Sequence, residues 1–354
     1  MLKYQIVKNT LLNKIQKMSP GDLFPTRKEL LDELNVARAT IDKAIGELCK
    51  DGVLVSKKGD GTYISDKTSG TNIESQNWGV IVPDITESIY SGIVRGAENY
   101  AQKVNANIIL CNSDSKIEKQ TMYLERLFSS DVKGIILVPV ISNNISTTLE
   151  LNKMLSKSHI PFVFCNRGVD GIDAPLIASN DFYGAYIATK HLLKQGYKSP
   201  AYISREKYKT SSDRCQGYLS ALLEKNITVN RNSIIIKLQQ GEEKDKIRNL
   251  FANKDIDSVF CFDDAIAEVC YDVAKEMGKS IPKDLGIIGY NNTARCNSLI
   301  PTLSSVSFRN VEIGEKAAEV LYKIIKSGLH SEFETYLFQP NIEARESTAR
   351  DNSN

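Results

Sequence analysis

From Trp78 onward the chain repeats one rhythm. Nine short apolar runs, WGVIVP, ANIILCN, GIILVP, PFVFC, PLIAS, PAYIS, SIIIKL, DSVFCF and LGIIGY, alternate with longer amphipathic stretches such as IVRGAENYAQKV and FYGAYIATKHLLKQ. Runs this short and this uniformly apolar suit strands buried on both faces, and the stretches between them suit helices with one apolar side. A parallel sheet covered by helices on both faces accommodates the two patterns together. In such folds ligands bind beyond the carboxyl ends of the strands, so the residues that follow each run are where a site would form.

Those positions are polar. Asp84, Glu87 and Tyr90 follow the first run, Asn166-Arg167 the fourth and Asn180-Asp181 the fifth. Asp263-Asp264 follow DSVFCF, Asn291-Asn292 follow LGIIGY, and Asp213-Arg214 are expected to open a helix. Acids, amides and guanidinium groups against apolar strands suit a small polyhydroxylated ligand. Each hydroxyl can donate to an acid and accept from an arginine, while Tyr90 can cover an apolar ring face. Asp181 and Asp264 have a second possible role, capping the helix that follows, and the two roles can coexist.

The first 65 residues follow a different plan. Thr26 with Glu29 three positions later forms a capping box, predicting a helix that carries Leu30, Leu31 and Leu34 on one face. Asn35-Val36 interrupts it, and a second helix from about Ala37 to Lys50 places Ile41, Ala44, Ile45 and Leu48 on the core side. Arg38, Ala39, Asp42 and Lys43 are left facing outward. Asp51-Gly52 ends that helix, and Val53 to Ile64 alternates as a hairpin around Gly59-Asp60-Gly61. Tyr4, Val7, Leu11 and Ile15 form a further stripe upstream, so the segment reads as three helices and a wing. A helix of this kind fits the major groove of B-DNA, with Arg27, Lys28, Arg38, Lys43, Lys57 and Lys58 as candidates for phosphate and base contacts. The plainer role for Arg38 and Asp42, four apart, is a surface ion pair.

Charge agrees in sign. Residues 1–70 carry 12 Lys and Arg against 9 Asp and Glu, whereas the rest of the chain carries 33 against 34. So small a surplus calls for two readers on two half-sites, because each neutralised phosphate contributes modestly and salt competes with it.

Residues 66–77 are polar and without apolar period, as expected of a linker, and 78–347 form the second region. With 354 residues and 42% hydrophobic composition the chain can bury a substantial core. It has neither an 18-residue apolar run nor a charged-then-apolar leader, so a cytoplasmic protein is expected. Seven cysteines with no C-x-x-C pair read as buried thiols, and His159, His191 and His330 lie too far apart in sequence to suggest a metal site. Gly278-Lys279-Ser280 imitates the end of a phosphate loop, but Val273 stands where its first Gly belongs and the triplet follows a helical stretch. Adjacent Asp263 and Asp264 do not supply opposed carboxylates, and no histidine accompanies a nucleophile; neither catalysis nor a cofactor is expected.

Pro25-Thr26 with Leu30, then Val36, Arg38, Thr40 and Ile41, then Gly59, Gly61, Thr62 and Tyr63, together resemble the winged helix-turn-helix of the GntR family. The resemblance implies a DNA-binding set of Arg27, Lys28, Arg38, Thr40, Asp42, Lys43, Lys57, Lys58, Gly59 and Gly61. Ala37 stands where the family usually has Ser, and Asp42 where it usually has Arg, exchanging a guanine-type donor for an acceptor suited to cytosine N4. The later segments VIVPDITESIYSGIVRGAE, CNRG, ASNDFYGAYIATKHLLKQGYK, SDRCQGY, CFDDAIAEVCYDVAKEMGKSIPKDLGIIGYNN and FQPNIEARES resemble the LacI/GalR effector domain, akin to periplasmic sugar-binding proteins. This implies a two-lobed α/β domain of periplasmic-binding-protein type I with parallel sheets. The lobes would be about 78–180 with 308–333 and 181–307 with 334–347. The ligand set would be Asp84, Glu87, Tyr90, Arg167, Asp181, Arg214, Asp264 and Asn291. Asp263-Asp264 and Asn291-Asn292 depart from the family's usual Asn-Asp and Asp-Asp, which alters the charge of the cleft. The pairing of reader and sensor is similar to the bacterial arabinose repressor group. That similarity implies a homodimeric repressor released from operator DNA by a small sugar such as L-arabinose. A nucleobase corepressor that strengthens DNA binding is the alternative, and rings stacking on both faces of the ligand would favour it.

Overall fold

The computed structural model describes residues 3–15, 18–57, 59–65, 76–141, 145–205, 209–239, 241–327 and 334–350. Its contacts divide the chain into two units, Met1–Ser75 and Gln76–Asn354. In the first unit, α1 (Lys3–Ile15), α2 (Arg27–Leu34) and α3 (Arg38–Lys50) precede a hairpin of β1 (Leu54–Lys57) and β2 (Gly61–Ile64). Val7, Leu11 and Ile15 of α1 meet Leu30, Ile41, Ala44, Ile45 and Leu48 in one buried cluster, closed beneath the wing by Leu54 and Ile64. Side chains at three- and four-residue spacing thus share one core. The side chain of Tyr4 lies outside the described residues, as do 66–75 of the expected linker.

α2 starts where the capping box places it, with the Thr26 side chain accepting from Glu29 N and the Glu29 carboxylate accepting from Thr26 N. α3 has no such cap, because its N-cap residue is Ala37. Leu23 adds an isolated antiparallel bridge to Tyr63, extending the wing beyond its hairpin.

The second unit opens with β3 (Gln76–Val82), α4 (Ser88–Lys103), β4 (Ala106–Asn112), α5 (Ile117–Phe128), β5 (Val132–Leu137), α6 (Ile145–Lys157), β6 (Phe162–Cys165) and β7 (Leu176–Ser179). There follow α7 (Asp181–Lys194), β8 (Pro200–Arg205), α8 (Lys209–Glu224), β9 (Ile234–Leu238), α9 (Glu243–Ala252), β10 (Ser258–Cys261), α10 (Asp264–Glu276) and β11 (Gly286–Asn291). The chain finishes with α11 (Arg295–Ser298), β12 (Ser304–Ser307), α12 (Asn310–Ser327), β13 (Thr335–Phe338) and β14 (Asn341–Glu343). Two six-stranded sheets result, in the orders β13-β7-β6-β5-β3-β4 and β14-β12-β11-β10-β8-β9. All pairings are parallel except β12 with β14.

Alternation along each strand fills both faces of each sheet. Trp78, Val80 and Val82 pack with Ile93 and Ala97 of α4 and Leu321 of α12, while Ile81, Ile135 and Leu137 pack with Leu124 and Leu127 of α5 and Leu155 of α6. In the second sheet Tyr202, Phe260 and Tyr290 meet Ala185, Leu192 and Tyr218 of α7 and α8, and Ala201, Val259 and Ile287 meet Ile247, Ile266 and Val273 of α9 and α10. α4 and α12 approach through glycines: a Cβ on Gly96 would stand 1.9 Å from Val311 O, and one on Gly314 2.0 Å from Ile93 O.

Three sequence expectations are corrected. β3 reaches back over Gln76 and Asn77, which pair with Ala106 and Asn107 and so belong to the sheet although their polarity groups them with the linker. Residues 335–338 belong with the first lobe, since Thr335 through Phe338 pair in parallel with Leu176 through Ser179, and the chain crosses only afterwards to place β14 in the second sheet. α8 begins at Lys209, so Asp213 and Arg214 lie in its second turn and do not open it.

Candidate functional site

In the first unit, Arg27, Lys28, Arg38, Asp42, Lys43, Lys57, Gly59 and Gly61 are all exposed, and Thr40 is half-buried. Lys58 lies outside the described residues. Arg27 and Arg38 are the first residues of α2 and α3. Asp42 does not stand free: its Oδ1 accepts from Arg27 Nε at 2.6 Å, and its Oδ2 lies 3.8 Å from Arg38 Nε. The ion pair weighed as the plainer role is present, and it has a second arginine. Lys57 Nζ sits 4.8 Å from the Tyr63 ring centre. Gly59 and Gly61 have φ of 83° and 132°, and a Cβ on Gly61 would meet Leu23 Cδ1 at 2.8 Å, so the tip of the wing requires glycine there.

In the second unit, the residues expected at strand ends fall into separate groups. In the first lobe Arg167 is buried behind β6, its Nε donating to Pro139 O at 2.7 Å and its Nη1 to Tyr90 Oη at 3.3 Å. Asp84 closes a local turn, accepting from Thr86 N and Thr86 Oγ1, and Glu87 is exposed at the N-cap of α4 without a capping bond.

In the second lobe Arg214 and Asp181 form a buried pair, with side chains 4% exposed on each partner. Arg214 Nε and Nη2 both reach Asp181 Oδ1 at 2.7 Å, and Nη1 donates to Phe262 O at 2.5 Å. The guanidinium carbon lies 3.5 Å from the Tyr290 ring centre and 4.4 Å from that of Phe262. Burial works to lower the pKa of Arg214, but Asp181 and Tyr290 outweigh it and hold the group charged. Among the described residues three of the five guanidinium protons find acceptors, two on Asp181 Oδ1 and one on Phe262 O, which leaves one on each terminal nitrogen. Burial pushes the Tyr290 phenol up, with Asp181 adding to the effect. Asp213, one residue before Arg214, is also raised by burial, with Asp181 and Asp170 of the other lobe contributing repulsion.

Capping falls one residue earlier than expected. Asn180 accepts from Tyr183 N at 3.0 Å and Asp263 from Ile266 N at 2.8 Å, so Asp181 and Asp264 are the first residues inside their helices. Asp264 is spent within its own lobe: Oδ1 accepts from Ser305 Oγ at 2.6 Å and Oδ2 from Thr293 N at 2.7 Å. Burial raises its pKa against those bonds. It fastens the turn after β11 to β12. Asn291, at the end of β11 with φ of 95°, presents a buried Oδ1 with no hydrogen-bond partner among the described residues. Its neighbour Asn292 is occupied by Ser305 Oγ and by Arg345 Nη2.

The structure therefore unites Tyr90 with Arg167 and Asp181 with Arg214, ties Asp84 into a local turn and binds Asp264 to Thr293 and Ser305. Sequence reasoning missed Phe262 and Tyr290 as partners of Arg214, although each is the aromatic that ends an apolar run. Ser305 went unnoticed because SSVS lacks the composition of a strand. Among the described residues no cluster of His, Cys, Asp and Glu could hold a metal ion, and no helix is long and apolar enough to cross a membrane.

Residues 3–64 match the bacterial regulatory proteins of the gntR family, and residues 189–348 match the periplasmic binding protein-like domain. An arabinose metabolism transcriptional repressor of Geobacillus stearothermophilus is 23% identical over 98% of this chain and 97% of its own. The HTH-type transcriptional repressor PurR of Vibrio atlanticus is 31% identical over 75% of this chain and 79% of its own. A solved structure of a LacI family transcriptional regulator from Enterococcus faecium, with bound ribose, is 31% identical and superposes with a TM-score of 0.64, covering 77% of this chain and 99% of that one.

Proposed function

Because the chain belongs to the bacterial transcriptional repressors that join a GntR-family winged helix-turn-helix to a LacI-family effector domain, we propose that a monosaccharide releases it from its operator. The observation that carries this reading is the Arg214 seat: a charged, buried guanidinium with two protons uncommitted among the described residues, set among Asp181, Phe262 and Tyr290 at the carboxyl ends of strands. Such a group gives a hydroxylated ring directed donors, and the spare Oδ1 of Asn291 gives it an acceptor. Tyr90 and Arg167 supply the facing surface from the first lobe, and Asp84 and Glu87 line its rim. Asp264 acts at one remove, holding the turn that presents Asn291. An aldopentose is the preferred ligand, L-arabinose before D-ribose, on the strength of the relative aligned end to end.

The reader is α3, whose exposed Arg38 and Lys43 and half-buried Thr40, with Arg27 and Lys28 of α2, face the groove while Lys57, Lys58 and the glycines of the wing meet the backbone. The protein works in the cytoplasm as a homodimer. β4 is the edge strand of its sheet and exposes Ile109 and Leu110, an apolar edge that a second copy would cover. Sugar binding closes the lobes and alters the spacing of the two readers, weakening DNA affinity by its preference for the closed form.

Calorimetric titration of the full chain with L-arabinose, D-ribose, hexoses and a purine base tests the ligand class. Saturable binding of one sugar supports the reading. Binding of the purine alone, the chemistry that the relative named PurR brings forward, overturns it.

A further inference from the structure

Asp42 is the one acid among the outward positions 38, 39, 42 and 43 of α3, a face otherwise built to meet phosphate. Its carboxylate faces two neighbouring arginines: Oδ1 accepts a hydrogen bond from Arg27 Nε at 2.6 Å, and Oδ2 lies at ion-pair distance from Arg38 Nε, 3.8 Å. Both contacts engage the arginines at Nε. The side chains of Arg27 and Arg38 remain 44% and 75% exposed, which keeps the terminal fork, the part of a guanidinium that matches O6 and N7 of guanine, within reach of a duplex. We infer that Asp42 is a positioning residue that holds the forks of Arg27 and Arg38 for base recognition and reads no base itself. The inference rests on α3 being the groove-reading helix, as proposed above.

Stability is a poor reason for the arrangement, because exposed ion pairs contribute little to folding. Pre-organisation is a better one. A free arginine on a helix surface loses its rotamer freedom when it docks, and a side chain already held by a carboxylate has lost part of it beforehand. The acid has an opposite effect on phosphate: a negative charge on the reading face weakens attraction to any duplex equally. Asp42 thus trades general affinity for selectivity. A carboxylate already engaged by two guanidinium groups is also a weak candidate for accepting from cytosine.

Full-length wild type, D42N, R27A, R38A and the double variant D42N/R38A should each be used to enrich binding sites from random duplex DNA, with affinities measured against the enriched and a random sequence. Asn keeps the volume of Asp42 and removes its charge, and the site is exposed, so the fold is retained; circular dichroism checks this. For D42N the expected result is tighter binding to random duplex and a specific-to-random ratio about tenfold lower. The lost base preferences should fall at base pairs that R27A or R38A also lose, and at the base pairs that R38A loses the double variant should lose no more than R38A alone. If D42N loses preference at a base pair that both arginine variants keep, Asp42 reads that base and the inference is wrong. An unchanged motif in D42N overturns it equally. A wild type that enriches no motif at all overturns the DNA-reading proposal itself and this inference with it.

Discussion

The guanidinium carbon of Arg214 lies 3.5 Å from the centre of the Tyr290 ring, while two of its nitrogens share Asp181 Oδ1. The ring comes from β11, the carboxylate from α7 and the arginine from α8, so one side chain joins three elements of the second lobe. A change at Arg214 therefore disturbs the packing of this lobe together with the proposed ligand seat.

Arg214→Ala should abolish sugar binding and also leave Asp181 buried without its partner. Loss of one member of such a pair costs about 3–5 kcal/mol, measurable by urea unfolding. The double change Arg214→Ala/Asp181→Ala should cost clearly less than the two single changes added together, because neither charge is then stranded. Additive costs would show that the pair is uncoupled.

Gly184 lies directly beneath the same ring. A Cβ there would stand 2.2 Å from Tyr290 Oη, so Gly184→Ala must displace the ring and with it the seat of the guanidinium. Overpacking of this kind costs about 1–3 kcal/mol. Sugar affinity should fall with no change in operator affinity of the ligand-free protein, as read by calorimetry and gel shift side by side.

His191 bonds through Nε2 to Thr348 Oγ1 at 2.8 Å, and that hydroxyl is in turn 2.7 Å from Ser304 Oγ. Burial lowers the imidazole pKa below its ordinary 6.5, with Lys194 adding to the effect. Well above pH 6.5 both folded and unfolded states hold it neutral and nothing is gained or lost. As pH falls below that value the unfolded chain takes up the proton first, so this residue's contribution declines until the folded value is passed. The difference in urea stability between wild type and His191→Gln should accordingly shrink between pH 7 and pH 5, and a constant difference would remove His191 from the account.

Leu110→Lys places a charge on the exposed edge of β4. Sedimentation should show a shift from dimer to monomer, and operator binding should become weaker and less cooperative, since one reader alone has few phosphate contacts. A dimer that persists unchanged would move the interface elsewhere.

Much of this architecture was legible beforehand because it rests on local patterns. All nine apolar runs are strands, Ile41, Ala44, Ile45 and Leu48 are buried on one side of α3, and the capping box at Thr26 and Glu29 forms as the spacing requires. What escaped depends on partners distant in sequence. β12 is built from three serines and a valine and is held by pairing on both sides, with β11 and β14. β13 carries no hydrophobic alternation and joins the first sheet through its register with β7, with Phe338 alone packed against the core. The one-residue displacement of the helix caps has the same origin: Asn180 and Asp263 cap, which frees Asp181 to take Arg214 and Asp264 to take Ser305. Spacing reveals that an acid sits at a helix start, but the choice between cap and partner is made by side chains arriving from elsewhere in the lobe.

If sugar and operator compete through one polypeptide, the competition shows in the fluorescence anisotropy of a labelled operator duplex drawn from the sites that the wild type enriches. Titrating saturating L-arabinose, and then other monosaccharides, into the preformed complex should raise the operator Kd at least fivefold for one sugar, the lower end of ordinary coupling between sites, about 1 kcal/mol. An operator Kd unmoved by every monosaccharide tried, in protein that still binds the duplex selectively, would contradict it.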